Sequence, residues 1–321
     1  MKIIIKYDNF EELDYILTNP NYLNMNSEEY GWICGYEDDE LLFVMPFLEK
    51  RKWIFRYMQI QSETIILKGS KEDEKEFLNL AISEIKQDGK IDFISQPKTN
   101  VVFDTFPDGA IYSPFGSYTV DLSLDEEQLF KNIHTKHKNV IKRAIKNGVT
   151  VKFGYEVFDD AYDTISGTLS RNNMSIIEKQ KLLRLYDTNS KNFLVGCSYL
   201  EGKPQGAAII LYDNQKGYYF WGGTSEDLSL GANNLLHWEI IKKLKSLCVK
   251  YYDFVGARIN TNDERLLGIQ RFKSRFGATL NQGYLWKYPI KKWKYELFMM
   301  LYKYKMKKGD IIDQEKDNIN L

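Results

Sequence analysis

The stretch KGYYFWGGTSEDLSLGANNLLHWEIIKKLKSLCVKYYDFVGA, residues 216–257, decides the fold class. An aromatic run ends in Gly222-Gly223, a long helical pattern follows from Ala232 to Cys248, and a second short strand pattern closes the stretch. Strand, helix and strand in this order place the chain among α/β proteins. In an open α/β sheet the loops at the carboxyl ends of strands gather substrates. Gly256 ends the second strand and lets backbone approach closely. Arg258, Asn260, Thr261 and Asn262 follow, as donors suited to phosphate, sugar or peptide groups or as ordinary turn formers. Trp221 closes the aromatic run. The helix start at Gly231–Asn234 offers free N–H groups to an anion. It lacks the dense glycines of a phosphate-binding or dinucleotide loop.

Downstream lies GIQRFKSRFG, residues 268–277. If residues 265–276 are helical, Leu266, Ile269, Phe272, Lys273 and Phe276 share one face, with Arg271 and Arg275 opposite. Lys273 thus stands where the pattern asks for an apolar side chain. Such a lysine either snorkels, meets a carboxylate or contacts a ligand.

The rest of the chain reads outward from here. Two α/β units are expected, 1–118 and 119–290, with a basic, aromatic tail over 291–321. In the first unit, KIIIKY reads as a strand and residues 10–19 as a short helix. Residues 30–51 read as a hairpin turning at Glu37–Glu40, and residues 71–88 as an amphipathic helix stopping at Gly89. The Pro- and Gly-bearing stretch 107–123 reads as the crossing between units. The second unit opens with a helix over 125–147 whose outer faces carry Lys131, Lys136, Lys138, Lys142, Arg143 and Lys146. That face is either solvated or an attractor for polyanions. In the tail, apolar residues run nearly all round Leu297–Tyr302 between lysines. The segment either docks on the folded body or lies in a membrane interface.

Composition narrows the classes. The 321 residues carry 44 Lys+Arg against 44 Asp+Glu, so only local patches could hold nucleic acid. The three cysteines (Cys34, Cys197, Cys248) and three histidines (His134, His137, His237) lack zinc-type spacing, and an odd cysteine count does not suggest a disulfide framework. They read as reduced, mostly core thiols of a cytoplasmic protein, and no metal or organic cofactor is expected. No run approaches the apolar length of a membrane-spanning helix.

Together, FKNIHTKHKNVIKRAIKNGVTV, the stretch from YYFWGG to FVGA, and GIQRFKSRFG resemble the Fem family of peptidoglycan bridge aminoacyltransferases, over roughly residues 120–290. The resemblance implies two GNAT-like domains, each a mixed curved β-sheet flanked by helices, without the coiled-coil arm of some members. It implies an acyltransferase that moves an amino acid from aminoacyl-tRNA to an amine of a nucleotide- or lipid-linked envelope precursor, peptidoglycan or surface polysaccharide. The family's Phe-Lys pair, at the acceptor and tRNA-end site, falls on Phe272 and Lys273. Lys273 is accordingly the expected catalytic residue. Phe272, Arg258, Asn260, Arg275, Trp221 and Arg143 are the expected substrate contacts. The acyl-CoA pyrophosphate loop is missing, which argues against, without excluding, an acyl-CoA donor acting on an amino sugar. A noncatalytic module holding tRNA or a glycolipid is the reading from another class. Attack of an amine on an activated acyl ester needs charge or donors for the oxyanion and a route for the amine proton. The sequence names no general base. Peripheral contact with the inner membrane face through the tail is the remaining expectation.

Overall fold

The computed structural model describes residues 1–8, 10 and 13–319. The first half runs β1 (Lys2–Lys6), α1 (Pro20–Asn26), β2 (Tyr30–Glu37), β3 (Glu40–Lys52), β4 (Phe55–Ile60), β5 (Ile65–Ile66), α2 (Glu74–Asp88), β6 (Phe93–Ser95) and β7 (Ile111–Asp121). The second runs α3 (Glu126–Asn132), α4 (Thr135–Lys146), β8 (Thr150–Phe153), α5 (Phe158–Arg171), α6 (Lys179–Thr188), β9 (Phe193–Leu200), β10 (Lys203–Tyr212), β11 (Lys216–Thr224), α7 (Ala232–Ser246), β12 (Tyr251–Asp253), α8 (Glu264–Ser274) and β13 (Thr279–Pro289). Helices α9 (Lys292–Met306) and α10 (Ile311–Ile319) follow.

The strands form one mixed, unclosed sheet in the order β1-β2-β3-β4-β6-β13-β7-β12-β11-β10-β9-β8, with β5 beside β3. Each half has the same plan. An antiparallel meander leads to a parallel pair, β4 with β6 or β11 with β12, whose connection carries a helix, α2 or α7. The last strand of each plan is exchanged. β7 pairs with β12 of the other half, and β13 pairs with β6. The two exchanged strands then pair with each other from Ile111↔Lys287 to Thr119↔Thr279.

Local chemistry explains most elements. The β2–β3 hairpin turns on Asp38 and Asp39, both with positive φ (47° and 64°), the conformation whose twist suits a two-residue turn. Helix α2 stops at left-handed Gly89. Three expectations need correction. The stretch read as a crossing is β7, a central strand. Pro114 is tolerated because only β13 pairs with β7 at that point, leaving its other edge without a ladder bond to lose. The helix expected over 125–147 breaks at Ile133-His134, where the His134 ring accepts the Lys136 N–H at 3.1 Å and caps α4. The helix expected over 10–19 falls partly on residues 11 and 12, outside the described residues. Residues 16–18 form a single 3-10 turn, and the helix begins at Pro20, with Asn19 as its cap. The tail helix α9 docks against Phe55, Phe93 and Tyr57, and α10 covers Phe115 and Leu285 through Ile312.

One core lies beneath α2 and one beneath α4 and α7. A third is shared, with Trp32, Val44 and Leu48 of the first half among Phe193, Ile209 and Tyr218 of the second. At the centre of the sheet, Tyr284 donates its N–H to Phe103 and accepts Phe103 N–H in return, at 2.8 and 3.0 Å. A methyl on neighbouring Gly283 would meet the Phe103 carbonyl, whose position those two bonds fix. Gly283→Ala is therefore expected to lower unfolding stability by roughly 2–3 kcal/mol. Gly268→Ala, with open space on exposed α8, should raise it by roughly 0.5–1 kcal/mol. Urea unfolding of the two variants checks both signs.

Candidate active site

The parallel strands β11 and β12 stay in register for three residues, Lys216↔Tyr251 to Tyr218↔Asp253, and then part. Two backbone irregularities accompany the split. On β11 the pairing with β10 slips between Ile209 and Ile210, leaving Phe220 as the extra residue of a β-bulge. On the other side, β12 runs into Val255 and Gly256, both left-handed at φ 45° and 54°. A β-branched residue in that region is strained, which costs on the order of 1–3 kcal/mol unless the surroundings compensate.

The surroundings do so with two charged side chains. Asp253 accepts the Val255 N–H at 2.7 Å and is itself held by the Ser117 hydroxyl. Burial raises the Asp253 pKa, opposed by Lys216 and these hydrogen bonds. From α8, Lys273 Nζ donates to the carbonyls of Val255 and of Gly256, the latter at 2.6 Å. Lys273 is 9% exposed, and burial pushes its pKa down to about 8 against the pull of Asp253. The expected inward face of α8 holds for Lys273 and Phe276, which are buried, whereas Ile269 is exposed. Phe272 and Phe276 pack around His137 and His237. Burial holds His237 down at about 3 and His137 at about 4, so both rings are neutral at pH 7. The His237 ring is hydrogen-bonded to the Tyr252 hydroxyl at 2.9 Å.

The gap between the parted strands opens into a cavity of about 560 Å³. Phe220, Trp221 and Val255 form one side, and Asn26 with residues 96–100, from the first half, form the other. Its charged lining residues are lysines, Lys98 and Lys181. Lys98 Nζ donates to Asn26 Oδ1 at 2.8 Å, and burial with the nearby Lys50 lowers its pKa to about 7. At Asn100 this cavity adjoins a second one, of about 800 Å³, toward the amino ends of β11 and β12. The second cavity has the opposite character, with Glu63, Glu74, Asp104, Asp213 and Asp253 against Lys71 and Lys216. Lys216 bridges Glu63 at 2.7 Å, whereas the buried Oε2 of Glu74 has no hydrogen-bond partner. Both cavities lie between the halves, so neither unit makes them alone.

The structure scatters the remaining expected contacts. Trp221 lines the lysine-bearing cavity. Arg258 is engaged by Glu315 and Gln314 of α10, at 2.5 and 3.1 Å, and the Asn260 N–H by the same glutamate at 3.2 Å. Arg275 closes α8, its carbonyl accepting the His134 N–H at 2.9 Å. Arg143 stands exposed on the outer face of α4. Sequence reasoning passed over Lys98 in SQPKTN, although it follows a strand whose carboxyl end faces the same way as its parallel neighbour β4. It also passed over Glu74, which sits inside an acidic helix start that reads as solvated. Among the described residues no group of His, Cys, Asp and Glu could hold a metal ion.

Glu74 is 3% exposed, and its pKa is raised to about 7, chiefly by burial. A carboxyl raised above its unfolded value of 4.5 stabilises the fold fully below that value and loses the contribution as pH rises through 7. The Glu74 contribution should therefore fall between about pH 4.5 and pH 7, by on the order of 3 kcal/mol at about 1.4 kcal/mol per pH unit, against the opposite trend of the neutral His137 and His237. Glu74→Gln should remove that contribution, so the wild-type stability measured relative to the variant by denaturant unfolding should fall over this pH range.

Comparison with known proteins agrees with this geometry. Residues 135–274 match the family model of the GNAT acetyltransferase domain, which spans α4 to α8 and so includes both parted strands. No curated protein sequence matches the chain significantly. Among solved structures, FemX is similar with a TM-score of 0.68 at 14% identity, covering 88% of this chain and 94% of that one. The C-terminal domain of a candidate lysylphosphatidylglycerol synthetase from Agrobacterium fabrum is similar with a TM-score of 0.54 at 13% identity, covering 80% of this chain and 84% of that one. The L-PGS structure from Bacillus licheniformis gives 0.51 at 11% identity, covering 85% and 92%. Residues 135–274 thus match a GNAT acetyltransferase domain, and the chain as a whole has a Fem-like GNAT fold.

Proposed function

We propose that this protein is an aminoacyltransferase that moves an amino acid from aminoacyl-tRNA to an amine of a bacterial cell-envelope precursor, at the cytoplasmic face of the membrane. The observation that carries the reading is the gap between β11 and β12, whose strained Val255–Gly256 edge faces a cavity bearing Lys98 and Lys181. In this reading the units 1–118 and 119–290 each supply one wall of the site, and the segment 291–321 braces them. FemX and a lysylphosphatidylglycerol synthetase domain are named among its structural neighbours. Those names favour aminoacyl chemistry over simple acetylation.

The paired cavities suit both partners of such a reaction. The anionic end of the donor lies against Lys181, and the ammonium groups of substrate lie toward Glu74 and Asp253. The acceptor amine, once deprotonated, attacks the ester carbonyl. The new C–N bond forms as the C–O bond to the tRNA ribose breaks. The proton lost by the amine is balanced by the one that ends on the ribose hydroxyl. We assign the proton transfer to Lys98, whose pKa near 7 leaves a large neutral fraction at that pH. Lys273 is assigned a positioning role, because it holds the carbonyls of Val255 and Gly256. Phe272 buttresses it through the buried histidines. Arg258, Asn260, Arg275 and Arg143 remain proposed contacts for the longer parts of the substrates.

An acyl-CoA donor with an amino-sugar acceptor is the second reading, favoured by the acetyltransferase description of the matching family. Incubation of the purified protein with aminoacyl-tRNA or acyl-CoA and amine-bearing envelope precursors, followed by mass spectrometry, decides between them. A mass gain of one amino acid supports the first reading, and an acyl gain from the coenzyme replaces it. Within the first reading, Lys98→Met should lower transfer by roughly 10²–10⁴-fold without lowering its unfolding midpoint. The wild-type rate should rise with pH through about 7, as Lys98 loses its proton. Lys273→Met leaves two carbonyls without their donor. It should lose transfer at least as severely as Lys98→Met, together with about 1–3 kcal/mol of stability. Full activity in that variant would remove Lys273 from the site.

A further inference from the structure

The β3–β4 hairpin turns on Trp53 and Ile54, between the paired residues Lys52 and Phe55. Trp53 has φ 57°, at the first central position of a two-residue turn, where glycine is favoured. It is also 78% exposed, and Ile54 is 58% exposed. A large aromatic is thus held in a glycine conformation with most of its ring in water.

The same side of the molecule continues along α9. Lys294 Nζ donates to the Ile54 carbonyl at 3.0 Å, which joins the start of α9 to the hairpin tip. Phe298 and Tyr295 face inward onto Phe55 and Phe93. The outward line Trp293, Met300 and Tyr304, spaced by seven and four residues, is 61%, 59% and 88% exposed. The helix is therefore apolar on both its docked side and its solvent side. Residues 50–56 and 291–308 together hold eleven Lys and Arg and one acidic residue, Glu296. Arg51, Arg56, Lys291, Lys292, Lys294 and Lys303 are paired with carboxylates, whereas Lys52, Lys305, Lys307 and Lys308 stand exposed at the tip and at the end of α9. Lys52 and Lys294 lie over the rings of Trp53 and Trp293, at 5.6 and 5.8 Å.

We propose that this hairpin tip and the outer line of α9 form a docking surface for an anionic lipid bilayer. Protruding indole, tyrosine and methionine side chains enter the headgroup boundary while the surrounding lysines meet lipid phosphates. A projecting tip beside a helix, with the exposed Lys52, Lys305, Lys307 and Lys308 at its two ends, matches a fluid anionic surface better than a shaped protein groove. The docking surface also lies near the lysine-bearing cavity. Lys50 Nζ donates to Gln59 and Gln59 Nε2 to the Gln96 carbonyl, at 2.8 and 3.1 Å, and Gln96 lines that cavity. Lys50 is three residues, roughly 10 Å of extended strand, from Trp53. A bilayer bound at the tip would leave the cavity within reach of a lipid-borne acceptor. This surface stands independently of the proposed transfer chemistry.

The test uses the full chain and sedimenting vesicles of phosphatidylcholine with and without phosphatidylglycerol. Binding is expected to vesicles containing phosphatidylglycerol, weakened roughly tenfold or more by high salt and by the double substitution Trp53→Ala, Trp293→Ala. The double variant should keep its unfolding midpoint and its transfer rate on a water-soluble acceptor, which separates failure of docking from failure of the transfer reading. Absence of wild-type binding overturns the proposal, as does equal binding by the double variant. A concentration-dependent dimer that the substitutions abolish, without vesicle binding, would assign the surface to a second copy of the chain instead.

Discussion

Residues Thr279–Lys287 of β13 lie antiparallel to Ile111–Thr119 of β7, and this ladder makes one sheet of two similar halves. Each half lends its final strand to the other: β7 pairs with β12, and β13 pairs with β6. Neither parallel pair therefore ends at an open edge. The exchange also fixes how the halves face each other. Ser117 and Thr119 of β7, and Leu280–Gln282 of β13, floor the larger cavity, while Asn100 after β6 borders both. The relative placement of the four lysines and five carboxylates in these cavities is thus a property of strand pairing as much as of loop conformation.

The clamp at Val255–Gly256 depends on that ladder. Ser117, on β7, orients Asp253, which holds the Val255 N–H, and Gly116 and Ala257 exchange hydrogen bonds at 2.9 and 2.6 Å just beyond. With one end of the strained pair tied to β7, the Lys273 ammonium needs only to satisfy two carbonyls. The neighbouring histidines make this possible by staying neutral. A protonated His237 would place a second positive charge beside Lys273 in a buried site, and its depressed pKa includes that repulsion. Lysine, strained backbone and neutral rings form one interdependent unit.

Much of this was legible in the sequence because it rests on local patterns. The β11–α7–β12 order, the two-residue turn at Asp38-Asp39, the Gly89 stop and the inward placement of Lys273 follow from periodicity and turn chemistry over a few residues. What was not legible depends on partners far away in the chain. β7 carries Pro114 and Gly116, which read as connection until β13 arrives, some 165 residues later, to pair with it. Arg258 reads as a free donor in a polar loop until α10 brings Glu315, a fully buried carboxylate, against it. Lys98 and Glu74 look like surface charges because their neighbours, Tyr22, Asn26 and Lys50 for the first and Glu63 and Asp104 for the second, lie elsewhere in the first half. The break at Ile133-His134 was missed for a different reason. A histidine ring nitrogen is an unusual helix cap, and the apolar spacing continues across it.

The tail illustrates how an ambiguous pattern can be satisfied twice. Apolar residues all round Leu297–Tyr302 pose a choice between docking on the body and lying in an interface. In the folded chain, Tyr295 and Phe298 are spent on Phe55 and Phe93, which accounts for one side of the helix only. Lys291 and Lys294 anchor that side by converging on buried Asp92, at 2.9 Å each, and the Arg56 N–H together with the two pairings keeps the Asp92 carboxyl below its ordinary range despite burial. Helix α9 is thereby held rigidly in one orientation. A rigidly held helix presents its remaining side chains as a fixed row, so Trp293, Met300 and Tyr304 lose no backbone freedom when they meet a partner surface. Docking on the body and exposure of the outer row are therefore complementary, because the first preorganises the second.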